Sequence, residues 1–280
     1  MDYFFALILG IVEGITEFLP ISSTGHLIVT SAALNFPTNA LGVSNPESFR
    51  DAFGVFIQLG SILALIMLYR NDLIGQVKQV RQDRATQRLW LYLGIAFVPA
   101  GIVGFFLHDW IMATLYKPIV VGSALIIGGI VLLWVERKPL KPRVFMREHI
   151  TFSQAVFIGG AQMIALIPGV SRAAASIVGG LITGLDRRLA TVFSFYLAIL
   201  TMTIATSYEL FSALRKGYVT ADHLPLFALG TATAFVVAWV AVKWLLNYIS
   251  SHNFRVFGWY RIGIGGLIIG LALFTTFFSR

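Results

Sequence analysis

An all-α polytopic integral membrane protein, with six transmembrane helices and two re-entrant helix pairs in an inverted repeat, is the fold class the sequence predicts. Three observations predict it. Hydrophobic residues make up 57% of the 280 residues and charged residues 12%, a balance that excludes an ordinary soluble fold. Six apolar stretches run without interruption, at roughly 53–69, 89–107, 119–135, 189–208, 224–246 and 262–278. Each approaches the length a helix needs to cross the hydrocarbon layer. Two more apolar regions, about 3–34 and 154–185, are broken in the middle. Their halves are too short to cross alone, and such pairs are tolerated only where protein or a water-filled cavity surrounds them.

The first region sets the pattern. Tyr3 to Val12 is apolar, and Glu13 and Glu17 follow at i and i+4, on one helix face. Pro20 disfavours helical geometry at Leu19, so the helix is expected to end about there. Ser22, Ser23 and Thr24 suit the N-cap of a second short helix, whose free N–H groups and positive dipole end would form an anion site. His26 lies three residues after Ser23, on the same side. The start of the chain does not read as a secretory signal: Asp2 replaces a basic segment and Glu13 interrupts the apolar core.

Three spans follow, then the second break at Pro168-Gly169-Val-Ser171-Arg172, then three more spans. Three is odd, so the second copy is inverted relative to the first, with a site expected where the broken helices meet. Residues 1–280 are read as a single membrane domain with halves about 1–145 and 146–280. Aligning Pro20 with Pro168 also aligns Ser23 with Ser171. The net charge of +8 follows the loops and needs no nucleic-acid partner. Arg70, Lys78, Arg81, Arg84 and Arg88 fill loop 70–88. Arg137, Lys138, Lys141, Arg143 and Arg147 fill loop 136–152. Loops 35–52 and 109–118 hold only Arg50 and Lys117. The positive-inside rule makes the first two loops cytoplasmic. Arg187, Arg188, Arg255 and Arg261 then fall inside, Arg215 and Lys216 outside, and both termini outside. The first break opens from outside, the second from the cytoplasm.

Glu13, Glu17, His26 and Arg172 remain as the deep ionisable set, and such groups at membrane depth point to function. Lys243 is expected to snorkel from a span end, and Glu209 to sit at a boundary. His108, His149, His223 and His252 read as interface residues. Trp90, Trp110, Trp134 and Trp259 read as an aromatic belt, and Gly266 and Gly270 as helix-packing positions. With no cysteine there are no disulfides and no thiolate chemistry.

Arg172 presents forked donors that suit phosphate oxygens, or it neutralises Glu13 or Glu17. Glu13 and Glu17 beside a phosphate site suit Mg²⁺ or Ca²⁺ held through few protein oxygens plus substrate oxygens. Ser23 and His26 form a candidate nucleophile and base. His26 as nucleophile, or water with Glu17 as base, are equally open. Together these groups suggest phosphoryl transfer at membrane depth on a lipid phosphate.

The run Glu13-Gly-Ile-Thr-Glu17-Phe-Leu-Pro20-Ile-Ser-Ser23-Thr-Gly-His26, the later Pro168-Gly-Val-Ser171-Arg172, and Phe56-Ile-Gln58-Leu-Gly-Ser61 resemble the bacterial undecaprenyl-diphosphate phosphatase (bacitracin-resistance protein) family. The resemblance covers essentially the whole chain. It implies hydrolysis of the terminal phosphate of a polyprenyl diphosphate, for carrier-lipid recycling in peptidoglycan synthesis. It also implies a divalent-cation requirement and a bacterial inner-membrane site open to the periplasmic side. Glu13 and Glu17 match the acidic pair, Ser23 the proposed nucleophile, His26 the essential histidine, and Arg172, with Ser171 before it, the diphosphate-binding arginine. Ser22, Thr24 and Ser176 are further expected phosphate contacts. The chain departs from the family pattern after Arg172, where Ala173, Ala174, Ala175 and Ser176 replace a run richer in hydroxyls and glycine. One fewer phosphate donor is therefore expected there. The rival reading is a polyprenyl-phosphate transporter or flippase, since inverted repeats with broken helices are a transporter architecture. A binding protein without turnover is a third. A homodimer stays open as the assembly.

Overall fold

The computed structural model describes residues 1–43, 45–137, 141–217 and 219–278; Lys138, assigned above to a cytoplasmic loop, lies outside them. Ten α-helices make up the described fold: α1 Asp2–Thr16, α2 Ser23–Leu34, α3 Pro46–Gln79, α4 Arg84–Leu115, α5 Pro118–Val135, α6 Phe152–Ile164, α7 Arg172–Ile182, α8 Arg187–Arg215, α9 Leu224–Ile249 and α10 Arg255–Phe278. The six long apolar helices are α3, α4, α5, α8, α9 and α10, one for each expected span, so the chain is a multi-pass helical membrane protein.

The long helices overrun the expected spans because polar caps lie beyond the apolar stretches. Asn45 accepts the Ser48 N–H ahead of Pro46, Asp83 accepts those of Ala85 and Thr86, and Asp186 accepts that of Leu189. Most of the expected loop 70–88 is consequently helix, and only Val80–Asp83 connects α3 to α4. Lys243 does not simply reach outward: its ammonium stands 4.1 Å above the Trp239 ring. Trp110, Trp134 and Trp259 are exposed, as a belt requires.

α1 lies on α9, and α6 lies on α4; α5 crosses α10, and α3 packs on both α8 and α9. Small residues permit the closest approaches. A Cβ on Gly10 would lie 2.6 Å from the Gly230 carbonyl oxygen, and one on Gly159 would lie 2.8 Å from Ala96 Cα. At the α5–α10 crossing, Gly122 meets the Gly265 carbonyl and Gly129 meets that of Gly258. The packing glycines are therefore these. Gly266 and Gly270, expected in that role, face open space, since they lie on the outward side of α10.

Ion pairs gather the basic connections at one end. Arg147 donates to both Asp72 oxygens at 3.2 Å. Glu136 receives Arg187 at 2.9 and 2.6 Å and the Phe254 N–H at 3.2 Å. At the other end Asp2 accepts from the Thr38 N–H and hydroxyl. Glu136 thus ties the end of α5 to the starts of α8 and α10 with a fully buried carboxylate. We expect Glu136→Ala to cost about 2 kcal/mol, the usual worth of charge-assisted hydrogen bonds to a buried group. A lowered thermal midpoint in detergent, with turnover per folded molecule unchanged, is the result to look for.

Candidate active site

The site forms where the two breaks meet. α1 ends at Thr16, earlier than the expected Leu19. The ring of Pro20 would clash with the carbonyl four residues before it, that of Thr16, so the helix stops there. Residues 17–21 turn, and α2 begins after Ser22, which holds φ 73°. Ser22 makes no side-chain cap bond, contrary to expectation. Its carbonyl instead accepts His26 Nδ1 at 2.7 Å. Since a carbonyl can only accept, Nδ1 carries the hydrogen. In a neutral ring Nε2 then holds the lone pair, 2.8 Å from the Tyr260 hydroxyl.

Ser23 opens α2 and donates from Oγ to Glu17 Oε2 at 2.5 Å. Arg172 opens α7 and reaches Glu17 Oε1 with Nη2 at 2.7 Å. Arg172, Glu17 and Ser23 are therefore one hydrogen-bonded chain across both breaks. The other guanidinium arm, Nη1, has only a 3.5 Å contact to Thr201 Oγ1. Ser23 and His26, expected to pair, do not: the hydroxyl faces Glu17 and the imidazole faces Ser22 and Tyr260. The helical spacing is right, but Ser23 finds the Glu17 carboxylate across the turn and His26 the Ser22 carbonyl one turn back.

Glu13 lies one turn before Glu17 and is 1% exposed. Its Oε1 has no hydrogen-bond partner among the described residues. No group of three or more His, Asp or Glu that could hold a metal exists among the described residues. An orphaned hard oxygen beside a second carboxylate fits a Mg²⁺ or Ca²⁺ ion completed by substrate oxygens and water. It does not fit a closed protein cage.

The remaining expected contacts divide. Ser171, at φ 70°, caps α7 by accepting the Ala174 N–H at 3.2 Å. Thr24 faces the Tyr116 hydroxyl. Ser176 is removed from the site: it is buried and bonded to Ser194 Oγ at 2.6 Å and to the Arg172 carbonyl at 2.9 Å. Position 176 lies one turn, about 6 Å, along α7 from Arg172, with its hydroxyl engaged by these partners. Ala173 and Ala174 are buried as well. Both stand in the first turn of α7, directly after Arg172.

Ser22 and Ser171 hold similar backbone, φ 73° and φ 70°, immediately before α2 and α7.

Two site residues escaped the sequence reading. Tyr260 holds His26, and the two rings are stacked at 5.5 Å between centroids. Arg261, assigned above to the cytoplasmic loops, is 0% exposed inside α10. It donates to the carbonyls of Pro20 at 3.1 Å, Gly169 at 3.1 Å and Val170 at 2.9 Å. The missed signal was a helix start: a helix beginning at Arg255 carries residue 261 roughly 9 Å inward at 1.5 Å per residue.

Comparison with known proteins gives the family. The family model described as bacitracin resistance protein BacA matches residues 6–267. A protein of Methylococcus capsulatus named undecaprenyl-diphosphatase is 45% identical over 271 residues, covering 97% of this chain and 95% of its own. Proteins of the same name from Ectopseudomonas mendocina and Dechloromonas aromatica are 45% and 44% identical, covering 95% and 94% of this chain and 92% of each relative. The matched residues take in both breaks and the arginine between them, and on that evidence this chain belongs to the bacitracin resistance protein BacA family.

Proposed function

We propose that this protein is an undecaprenyl-diphosphatase. It hydrolyses the terminal phosphate of a polyprenyl diphosphate at membrane depth, giving the monophosphate carrier lipid and inorganic phosphate for peptidoglycan synthesis. The observation that carries the reading is the Arg172–Glu17–Ser23 chain, set between the N-termini of α2 and α7 in a family whose similar members bear that name.

The geometry supports a two-step transfer. Ser23 Oγ attacks the terminal phosphorus while its proton passes to Glu17. The bridging P–O bond breaks, and the polyprenyl monophosphate leaves with the bonding electron pair. Water then cleaves the phosphoserine, releasing phosphate and restoring the hydroxyl. Arg172 offers Nη1 to phosphate oxygens while Nη2 stays on Glu17. N–H groups in the first turns of α2 and α7 add donors and the positive ends of two dipoles. Glu13 and Glu17 are the residues to hold a Mg²⁺ or Ca²⁺ ion, whose chemistry when bound is charge neutralisation at phosphate oxygens.

The architecture is read as an inverted repeat of two re-entrant pairs, α1–α2 and α6–α7, each followed by three spans. Superposing Ser22 on Ser171 also pairs Gly10 with Gly159, each the glycine that lets its helix approach a span of the other half. Glu13 falls on Gln162, also buried and also with an Oε1 lacking a partner among the described residues. Exchange of the halves maps α1 on α9 into α6 on α4. Loop charges orient the first break to the periplasmic side of the bacterial inner membrane, with both termini outside.

Phosphate release from a polyprenyl diphosphate by purified protein in detergent, with and without EDTA, tests the reading. We expect metal-dependent release, reduced by about a thousandfold or more in Ser23→Ala because the nucleophile is lost. Release surviving that substitution would move the nucleophile to His26 or water. The exchange symmetry of the halves is also what a lipid transporter would show. A folded wild type releasing no phosphate would make transport the better reading.

A further inference from the structure

Arg261 is a buried cation that pairs with no carboxylate among the described residues. Its hydrogen bonds go to main-chain carbonyls alone. Besides Pro20, Gly169 and Val170, it donates to Leu125 at 3.4 Å and Ala124 at 3.5 Å. Pro20 and Gly169 are the paired positions of the two breaks, so one guanidinium holds equivalent carbonyls of both. The residue sits where α10 crosses α5, between Gly258 and Gly265, whose close contacts with Gly129 and Gly122 exchange with each other. Arg261 thus lies at the axis relating the halves. Gly128 makes the space: a Cβ there would fall 2.2 Å from Arg261 Nη2 and 3.0 Å from its Cζ.

These carbonyls are close along the chain to the reacting groups. Pro20 lies between Glu17 and Ser23, and Gly169 and Val170 directly precede Ser171 and Arg172. The geometry points to Arg261 as a positioning residue that sets the two breaks in register, and so fixes the reach of Arg172 to Glu17 without touching substrate. A lysine cannot replace it, because three donors on one nitrogen do not span carbonyls that a planar fork reaches on several sides. The kinetic consequence rests on the phosphatase reading; the register itself does not.

The test uses the full chain with Arg261→Lys and, separately, Gly128→Ala, which removes no donor but fills the space of Nη2. The chain has no cysteine, so Ala33→Cys and Ile182→Cys, exposed near the far ends of α2 and α7, give a spin-label pair reporting the placement of the two breaks. In each folded variant we expect a broadened label distance. We also expect kcat lower by about tenfold or more with KM within about threefold, as misplacement of reacting groups gives. A distance distribution as narrow as the wild type's in both variants overturns the proposal, whatever the kinetics. A broadened distribution in a protein whose wild type releases no phosphate retains the register and refutes the phosphatase reading. If Arg261→Lys does not fold, Gly128→Ala decides; if neither folds, Arg261 is a folding residue and the proposal fails.

Discussion

Glu17→Gln is expected to yield an inserted but inactive protein, with phosphate release reduced by about a thousandfold or more. Glu17 bridges the two breaks: Oε2 holds the Ser23 hydroxyl and Oε1 holds Arg172. The amide is isosteric, but it cannot take a proton from Ser23 at neutral pH, and general-base assistance is worth roughly 10²–10⁴. It is also a poor ligand for a hard cation. The substitution has a stability cost as well, because Arg172 is left without its counter-charge. Leaving one partner of a buried pair uncompensated costs about 3–5 kcal/mol, an upper bound here because the Arg172 side chain keeps 19% exposure. Adding Arg172→Gln should therefore recover thermal stability relative to Glu17→Gln alone, without recovering turnover. Near-wild-type release from Glu17→Gln would remove both the base and the metal assignment. Failure of the double variant to regain stability would show that the pair is not what destabilises the single one.

Arg172→Lys should keep the charge and still lose about a hundredfold in turnover, the scale of removing one preorganised donor to a developing oxyanion. The guanidinium has two arms to use: Nη2 closes the pair with Glu17, while Nη1 makes a long 3.5 Å contact to Thr201 Oγ1. An ammonium is a point charge and can satisfy the carboxylate or the phosphate, not both in one plane. The informative measurement is the split of kcat from KM alongside inhibition by inorganic pyrophosphate. Full rate in the lysine variant would reduce Arg172 to a counter-charge for Glu17.

Both expectations turn on contacts that only the fold supplies, yet the residues themselves were visible in the chain. Glu13, Glu17, Ser23 and Arg172 were singled out because carboxylates, hydroxyls and a cation are costly in an apolar setting unless they are used. The pairings were not visible. Ser23 was matched to His26 by helical spacing, whereas a carboxylate across the turn is the nearer partner. Ser176 is polar and close in sequence to Arg172, but one helical turn sets it about 6 Å further along α7, where Ser194 takes its hydroxyl. Gly266 and Gly270 were named for packing where Gly122, Gly129, Gly258 and Gly265 carry it. Composition identifies small residues, not the direction they face.

By itself the sequence determined the class of molecule. Six apolar stretches and two broken ones follow from the cost of unpaired backbone groups and charges in hydrocarbon, a constraint that acts locally and is written in every window of the chain. It also singled out Glu13, Glu17, His26 and Arg172 as candidates, because deep ionisable groups are costly unless they are used. Tertiary structure alone decided which groups meet. Tyr260 and Arg261 are more than two hundred residues from His26 and Pro20, and no periodicity links them. Arg261 read as a cytoplasmic-side cation because it directly precedes an apolar span and the positive-inside rule put that end inside. Inside the fold its guanidinium is instead satisfied by carbonyls that the two breaks leave without helical partners. Those free carbonyls exist only once both breaks are formed and brought together, so the role of Arg261 is a property of the assembled halves.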